Sequence, residues 1–368
     1  MITSIHNNMK RCLLLDNGTV NYYLHPNDST KKEDGSDAVL DGSDGMVMVE
    51  IPKFYTRRRK VGTVTSWYIT DTPTDGYTLH PAFVKDGVEV NHRYVGAYHA
   101  CYLDASNGVY KSGLNLNDIF GLLDLANDKL ASVSGIYPII GVTRSECRTL
   151  AENRGSGWCV LDFYLVQAIQ MLYLIEYQTF YSQQVLGGGN VNGSYLGSSA
   201  VQEDSPHSIA GLSNSLGNAS TDGTQPSAGA NPGIAYMSYR GIENFYGNGW
   251  QWIDGFNIND GQASVSNYPS TFDDISLITN NYNTLGDPMP SSDGYISDIQ
   301  DLDNVYLPSA VSGNSSSYLT DYYYRNLGLR AALFGGAAYL RAFAGAFCWA
   351  LYTVSGARDR GVSSRLAY

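Results

Sequence analysis

Leu333-Phe334-Gly335-Gly336, then Ala344-Gly345-Ala346-Phe347-Cys348-Trp349, and last Val362-Ser363-Ser364-Arg365-Leu366 punctuate the end of this chain. They are residues that a packed core asks for: a glycine pair, small side chains, Phe347 and Trp349, followed by Leu351 and Val354. A strand alternates by face, and Ala350 and Tyr352 flank Leu351 in that manner. The positions in between share no chemistry. Ala338, Tyr339, Leu340, Arg341 and Phe343, then Cys348, Ala350, Tyr352 and Thr353, then Ala357, Arg358, Asp359, Arg360 and Gly361 mix hydrophobes, cations, an anion and small residues. No folding logic selects that mixture. A scaffold with a freely variable outer face would read this way.

Working upstream, Gly247-Asn248-Gly249-Trp250-Gln251-Trp252-Ile253-Asp254 is the next informative stretch. Trp250 and Trp252 are two residues apart, hence on one face of a strand, and supply a large core area. Gly247 and Gly249 permit tight turns and close backbone approach. Two helices are expected before it. Thr143 to Asn153 opens with a Thr-x-x-Glu capping box and ends at Gly155. Asp162 caps a longer helix reaching about Gln184, apolar nearly all round, which stops before Gly187-Gly188-Gly189. That glycine run follows a helix and lacks the Lys-Ser/Thr of a phosphate loop, so it reads as a C-cap and loop. Although Leu161 to Phe180 is apolar, Asp162, Gln167, Gln170, Glu176 and Gln178 make it a buried helix and not a membrane span.

The N-terminal part is turn-rich. Arg11 to Leu15 and Thr19 to Leu24 form a strand pair across Asp16-Asn17-Gly18, a hairpin signal. Met46 to Tyr55 alternates into an extended strand, with Pro52 marking an edge or a bend, and Trp67-Tyr68-Ile69-Thr70 is a short partner. Gly211 to Gly233 reads as an irregular surface loop, and strands dominate beyond Tyr318. We divide the chain into a small β segment, 1–45, and a larger domain, 46–368, whose variable region spans about 337–363.

At 368 residues the chain can bury a large core. Its net charge of −12 argues against nucleic acid or an anionic membrane as the main partner. Arg57-Arg58-Arg59-Lys60 is the local exception and reads as a solvated strand end. The chain holds 29 Tyr and 39 Gly, which suits a loop-rich β surface, and Tyr is the commonest recognition residue. Cys12, Cys101, Cys147, Cys159 and Cys348 are odd in number and lack metal-ligand spacing, so reduced, buried thiols are expected. Met1 to Ile5 is not a signal peptide.

The tail resembles the variable region of target proteins of diversity-generating retroelements, particularly those of phages of gut bacteria. In that family a reverse transcriptase scatters mutations at template adenines, and rewritten Asn codons never yield Lys, Glu, Gln, Met or Trp. The pattern is L-F-G-G, an Asn-rich patch, A-G-A-F-x-W-x-L, a second patch and G-S-R-L. Leu333 to Gly336, Ala344 to Phe347, Trp349, Leu351 and Ser364 to Leu366 match its fixed parts. From Ala337 to Tyr368 there is no Lys, Glu, Gln, Met or Asn, and Trp349 falls on a fixed position. Ser363 departs from the pattern, which has Gly there.

A second resemblance, over roughly residues 46 to 368, is to the formylglycine-generating-enzyme type of C-type lectin fold. Met48 to Tyr55 is similar to its opening strand, Arg144 to Gly155 to its first helix and Trp158 to Tyr181 to its second, although a Leu-Pro-Thr-Glu-type start is missing. Gly247 to Asp254 matches its G-N-V-W-E-W motif, and Arg240-Gly241-Ile242-Glu243-Asn244 is typical of the phage versions. The implied architecture is α+β and loop-rich, with two helices packed on antiparallel sheets. The implied scaffold residues are Gly247, Asn248, Trp250, Trp252, Gly335, Gly336, Trp349 and Arg365.

Three other readings compete. An enzyme of the formylglycine-generating type needs a late cysteine pair, and here Cys348 stands alone, far from the last histidine, His207. A calcium-dependent lectin uses E-P-N or Q-P-D loops, which Gln225-Pro226-Ser227 only grazes. Asp301 to Asp303 offers oxygen ligands for a structural Ca²⁺, although a solvated acidic turn is the commoner use of such residues. No cofactor is expected. A purely structural tail component would not need the mixed side chains. The resemblance implies a noncovalent binder on phage tail fibres, made in the host cytoplasm and released by lysis, without membrane insertion. Its partners are other tail proteins and a host-cell surface protein or glycan. Tyr339, Phe343 and Tyr352 are the expected aromatic anchors, and Arg341, Arg358 and Arg360 with Asp359 the polar contacts. Many copies per virion would strengthen weak single-site binding.

Overall fold

The computed structural model describes residues 2–112, 123–193, 207–225 and 233–368. The architecture is mixed α+β, mostly sheet with few helices. A seven-stranded sheet runs in the order Cys159–Val160, Leu366–Ala367, His92–Gly96, Met46–Pro52, Lys10–Leu14, Val20–His25, Asp28–Lys32. The expected hairpin is present, with Gly18 in its turn at φ 80°. The division at residue 45 is not a structural boundary. Lys10–Leu14 pairs with Met46–Pro52 from Lys10↔Glu50 to Leu14↔Met46. Ile5, Met9, Leu13 and Leu24 enter the same core as Val47 and Val49. A bare edge on Met46–Pro52 would leave its backbone groups unpaired. Lys10–Leu14 covers one edge and His92–Gly96 the other.

The single strand expected from Met46 to Tyr55 is two strands. The first ends at Pro52, and Tyr55–Val61 starts a hairpin with Val64–Thr70. Pro52 therefore marks a bend, and its strand lies inside the sheet. On the second strand, Arg57 stacks over Tyr68 and Tyr77, while Arg58 and Lys60 both pair with Asp301.

A second sheet of eight strands carries Asn283–Leu285, Gln262–Val265, Trp250–Asn259, Leu329–Phe334, Trp349–Thr353, Tyr322–Arg325 and Gly294–Tyr295, in that order. Val362–Ser363 pairs in parallel with the start of Trp250–Asn259. Ile253, Phe256, Phe334, Trp349 and Leu351 face one core, shared with the helix Phe163–Tyr177. Trp250, Trp252, Leu333, Cys348 and Ala350 face a second core with Ile139, Val142 and Leu150. The chain then crosses back, because Leu366–Ala367 pairs in the first sheet with both Cys159–Val160 and His92–Gly96.

Helix Arg144–Glu152 has the expected capping box: Thr143 N–H donates to Glu146 Oε2 at 2.9 Å and Glu146 N–H to Thr143 Oγ1 at 3.2 Å. Asp162 caps Phe163–Tyr177 by accepting from Leu165 N–H at 3.0 Å. This helix does not reach Gln184. Gln178 adopts a left-handed conformation at φ 57°, which ends it, and a separate short helix covers Ser182–Leu186. The break drives Phe180 into the core, where its ring lies 4.8 Å from that of Phe347. Among the described residues no helix is long and apolar enough to cross a membrane. The expected loop 211–233 is corrected in part. Thr221–Thr224 pairs with Ala235–Tyr239 and satisfies that strand's edge, while residues 226–232, with Pro226 and Ser227, lie outside the described residues. All five cysteines are free and buried.

Candidate ligand-binding face

The eight expected scaffold residues are all buried. Asn248 sits at φ 64°, a left-handed conformation that Asn tolerates better than most residues. Its Oδ1 accepts from Asn190 Nδ2 at 2.9 Å and Ser208 N–H at 2.7 Å. Through its main chain the same motif grips both ends of segment 335–361. Gly247 N–H donates to Gly335 O at 3.1 Å, Ala338 N–H to Asn248 O at 3.1 Å, and Trp250 N–H to Gly361 O at 2.8 Å. Gly336, at φ 89°, has no room for a side chain, since a Cβ there would lie 2.6 Å from that of Ala344. Arg365 donates to Gln251 Oε1, Gly96 O, Glu243 O and Asn244 O at 2.7–2.9 Å, so its buried charge is met on four sides.

Two loops rise from this base. Residues 337–344 are held by their backbone. Arg341 N–H donates to Val191 O at 2.8 Å, Gly193 N–H to Ala338 O at 2.6 Å, and Gln183 Nε2 to Arg341 O and Ala344 O. Residues 354–361 are held likewise, by Arg144 N–H on Ser355 O and Gly141 N–H on Asp359 O, both at 3.1 Å. Main-chain anchors do not depend on the side chain carried.

Between the loops lies a continuous run of rings. Phe343 is 5.4 Å from Tyr295 and 4.7 Å from Tyr322; Tyr322 is 4.6 Å from Tyr324, and Tyr324 is 6.2 Å from Tyr352. Burial, and then the neighbouring Cys348, Tyr322, Tyr352 and Tyr339, raise the Tyr324 phenol above its ordinary value, so it stays protonated. Tyr339 joins the loops, its hydroxyl 3.0 Å from where a Cβ on Gly361 would lie. Tyr295, Tyr322 and Tyr324 were missed in the sequence. The Tyr322-Tyr323-Tyr324 run was the available signal, since strand alternation sends the first and third to the same side.

The expected contact residues divide into three groups. Arg341, Phe343 and Tyr352 are exposed, and Tyr339, Leu340, Thr353, Ala357, Arg358, Asp359 and Arg360 are half-buried. Ala338, Cys348, Ala350 and Gly361 are buried and are corrected to supports beneath the face. Cys348 and Ala350 do alternate away from Trp349, but the sheet face they occupy is covered by the second core. Val354, expected in the core, is 47% exposed, because its strand has ended at Thr353. Arg358 is not a free contact. It forms a forked ion pair with Glu146 and donates to Gly141 O at 3.1 Å, which ties its loop to a helix N-terminus. Asp359 accepts from Gly361 N–H at 2.6 Å, so its carboxylate shapes the turn.

Arg341 takes φ 51°, a conformation that costs a residue with a Cβ about 1 kcal/mol or more relative to Gly. Arg341→Gly is therefore expected to raise stability by roughly 1 kcal/mol in a denaturant melt, since its backbone bonds remain.

Asp321 underlies the Ala344–Phe347 turn. Its Oδ2 accepts from Phe347 N–H at 2.7 Å, and a Cβ on Gly345 would overlap its carboxylate. Burial pushes it up to about 7, against smaller opposing hydrogen bonds from Phe347 and Thr320. The folded chain thus binds this proton more tightly than the unfolded one. The stability it contributes is complete below the unfolded value near 4 and is lost as pH rises through about 7. Asp321→Asn keeps an acceptor for Phe347. It is expected to match the parent at pH 4 and exceed it at pH 8 by roughly 2–4 kcal/mol in denaturant melts.

Burial pushes the Cys348 thiol well above its ordinary value, which opposes formation of a nucleophilic thiolate. Asp301 is engaged by Arg58 and Lys60, and among the described residues no three His, Cys, Asp or Glu side chains gather as metal ligands. A scan against models of protein families and a search of curated proteins each found no match to this chain.

Proposed function

We propose that this chain is a non-enzymatic ligand-binding protein whose C-terminal face is diversified by a retroelement, carried on a C-type lectin fold of the formylglycine-generating-enzyme type. The observation that carries the reading is the mode of anchoring. Loops 337–344 and 354–361 hang from fixed residues mainly by backbone hydrogen bonds, so the exposed side chains at 341, 343 and 352 can change without loss of the frame. The finer fold assignment is supported by the Gly247–Trp252 hub and the buried terminal Arg365. A phage tail fibre that recognises a host-cell surface protein or glycan is the setting this implies.

Sequencing the locus from many isolates tests the proposal. Differences should concentrate within 337–363, at codons whose template bears adenine, with an adenine-rich near-copy and a reverse-transcriptase gene nearby. Substitutions spread evenly over 46–368 would refute diversification.

A further inference from the structure

We infer that the recognition face has a constant half, made by Tyr295, Tyr322 and Tyr324, and that its partner is a protein surface presenting an apolar anchor flanked by carboxylates. The inference rests on the proposed recognition role and names the ligand class. The three tyrosines lie on Gly294–Tyr295 and Tyr322–Arg325, upstream of the variable region, yet their rings interleave with Phe343 and Tyr352. Any side chains placed at 343 and 352 must therefore meet a ligand beside the same three rings.

The chemistry of the face selects the ligand. Within 337–368 there is no Asn, Gln, Glu or His. With Arg365 buried in the scaffold, three arginines, Arg341, Arg358 and Arg360, stand against one aspartate, in a chain of net charge −12. That aspartate, Asp359, already accepts from Gly361 N–H, and the Glu146 carboxylate that reaches the face is taken by Arg358. A sugar, rich in hydroxyl donors, would find no uncommitted carboxylate or amide acceptor in this stretch. A protein surface fits better. Its apolar anchor would rest on the tyrosine and Phe343 rings and on exposed Val354. Its carboxylates would meet exposed Arg341 and half-buried Arg360.

The test uses the full chain carrying a fluorophore and a panel of cultured gut-bacterial isolates. Cells that it labels are treated with protease, or with periodate to oxidise glycans. Protease should remove labelling by more than about tenfold and periodate should spare it. Tyr295→Ala and Tyr322→Ala should each lower labelling by about tenfold or more, with melting temperatures close to the parent's. Tyr324→Phe, which preserves packing on Trp250, should retain most labelling. Loss to periodate with resistance to protease would overturn the ligand class. Full labelling by Tyr295→Ala and Tyr322→Ala, alongside loss in a Phe343→Ala/Tyr352→Ala variant, would overturn the constant half alone. Full labelling by that last variant would remove the recognition face itself, and this inference with it.

Discussion

Trp250→Ala is expected to cost roughly 3–5 kcal/mol of unfolding free energy, measured by denaturant melts. Trp250 is 2% exposed and packs with Trp252, Leu333, Cys348 and Ala350 on the inner side of the second sheet. Its indole also meets the Tyr324 ring edge-on at 6.0 Å. Truncation would leave a cavity directly beneath the ring array, and neighbours held in strands on both sides cannot collapse to fill it. The backbone bond from Trp250 to Gly361 would survive, so the loss measures packing and not the anchor. A change within about 1 kcal/mol would mean that the two cores are not closed by this motif.

The second large effect falls on binding. Arg341, Phe343 and Tyr352 are the exposed members of the expected contact set. Replacing all three by Ala should shift stability by no more than about 1 kcal/mol, because exposed truncations cost little. The same variant should lose cell-surface binding by roughly a hundredfold or more, since aromatic and Arg anchors are worth ~2 kcal/mol each when desolvated in an interface. Tyr339 is left out because it is half-buried and bridges the two loops, so its removal would mix stability with recognition. A variant that unfolds, or one that still binds at full strength, would show that the face has been misplaced. Arg358 makes a useful contrast. Arg358→Ala breaks the ion pair with Glu146, so its effect should register as a looser 354–361 loop and not as a lost contact.

Several features were legible in the chain before any folding. Gly247 takes positive φ in its turn, Trp250 and Trp252 share one buried face, and Thr143 and Asp162 cap their helices, because each of these properties is set by near neighbours: a missing Cβ, a period of two, a side-chain oxygen within reach of the first turn. Alternation through Phe347-Cys348-Trp349-Ala350-Leu351-Tyr352 likewise assigned each residue to a face. Whether a face is covered is a different question, decided by segments remote in sequence. Ile139 and Val142 close over Cys348 and Ala350, whereas among the described residues Tyr352 stays exposed. Lys10–Leu14 joins the sheet of Met46–Pro52 because an open edge needs partners, and composition does not reveal which strand supplies them. Arg358 looked like a contact until Glu146 was brought beside it, and Tyr295, Tyr322 and Tyr324 joined the face only because Tyr322–Arg325 lies parallel to Trp349–Thr353. Local periodicity and caps were thus determined by the sequence alone. The boundary between support and binding face was left to the tertiary structure, because burial depends on what packs above a residue and not on what precedes or follows it.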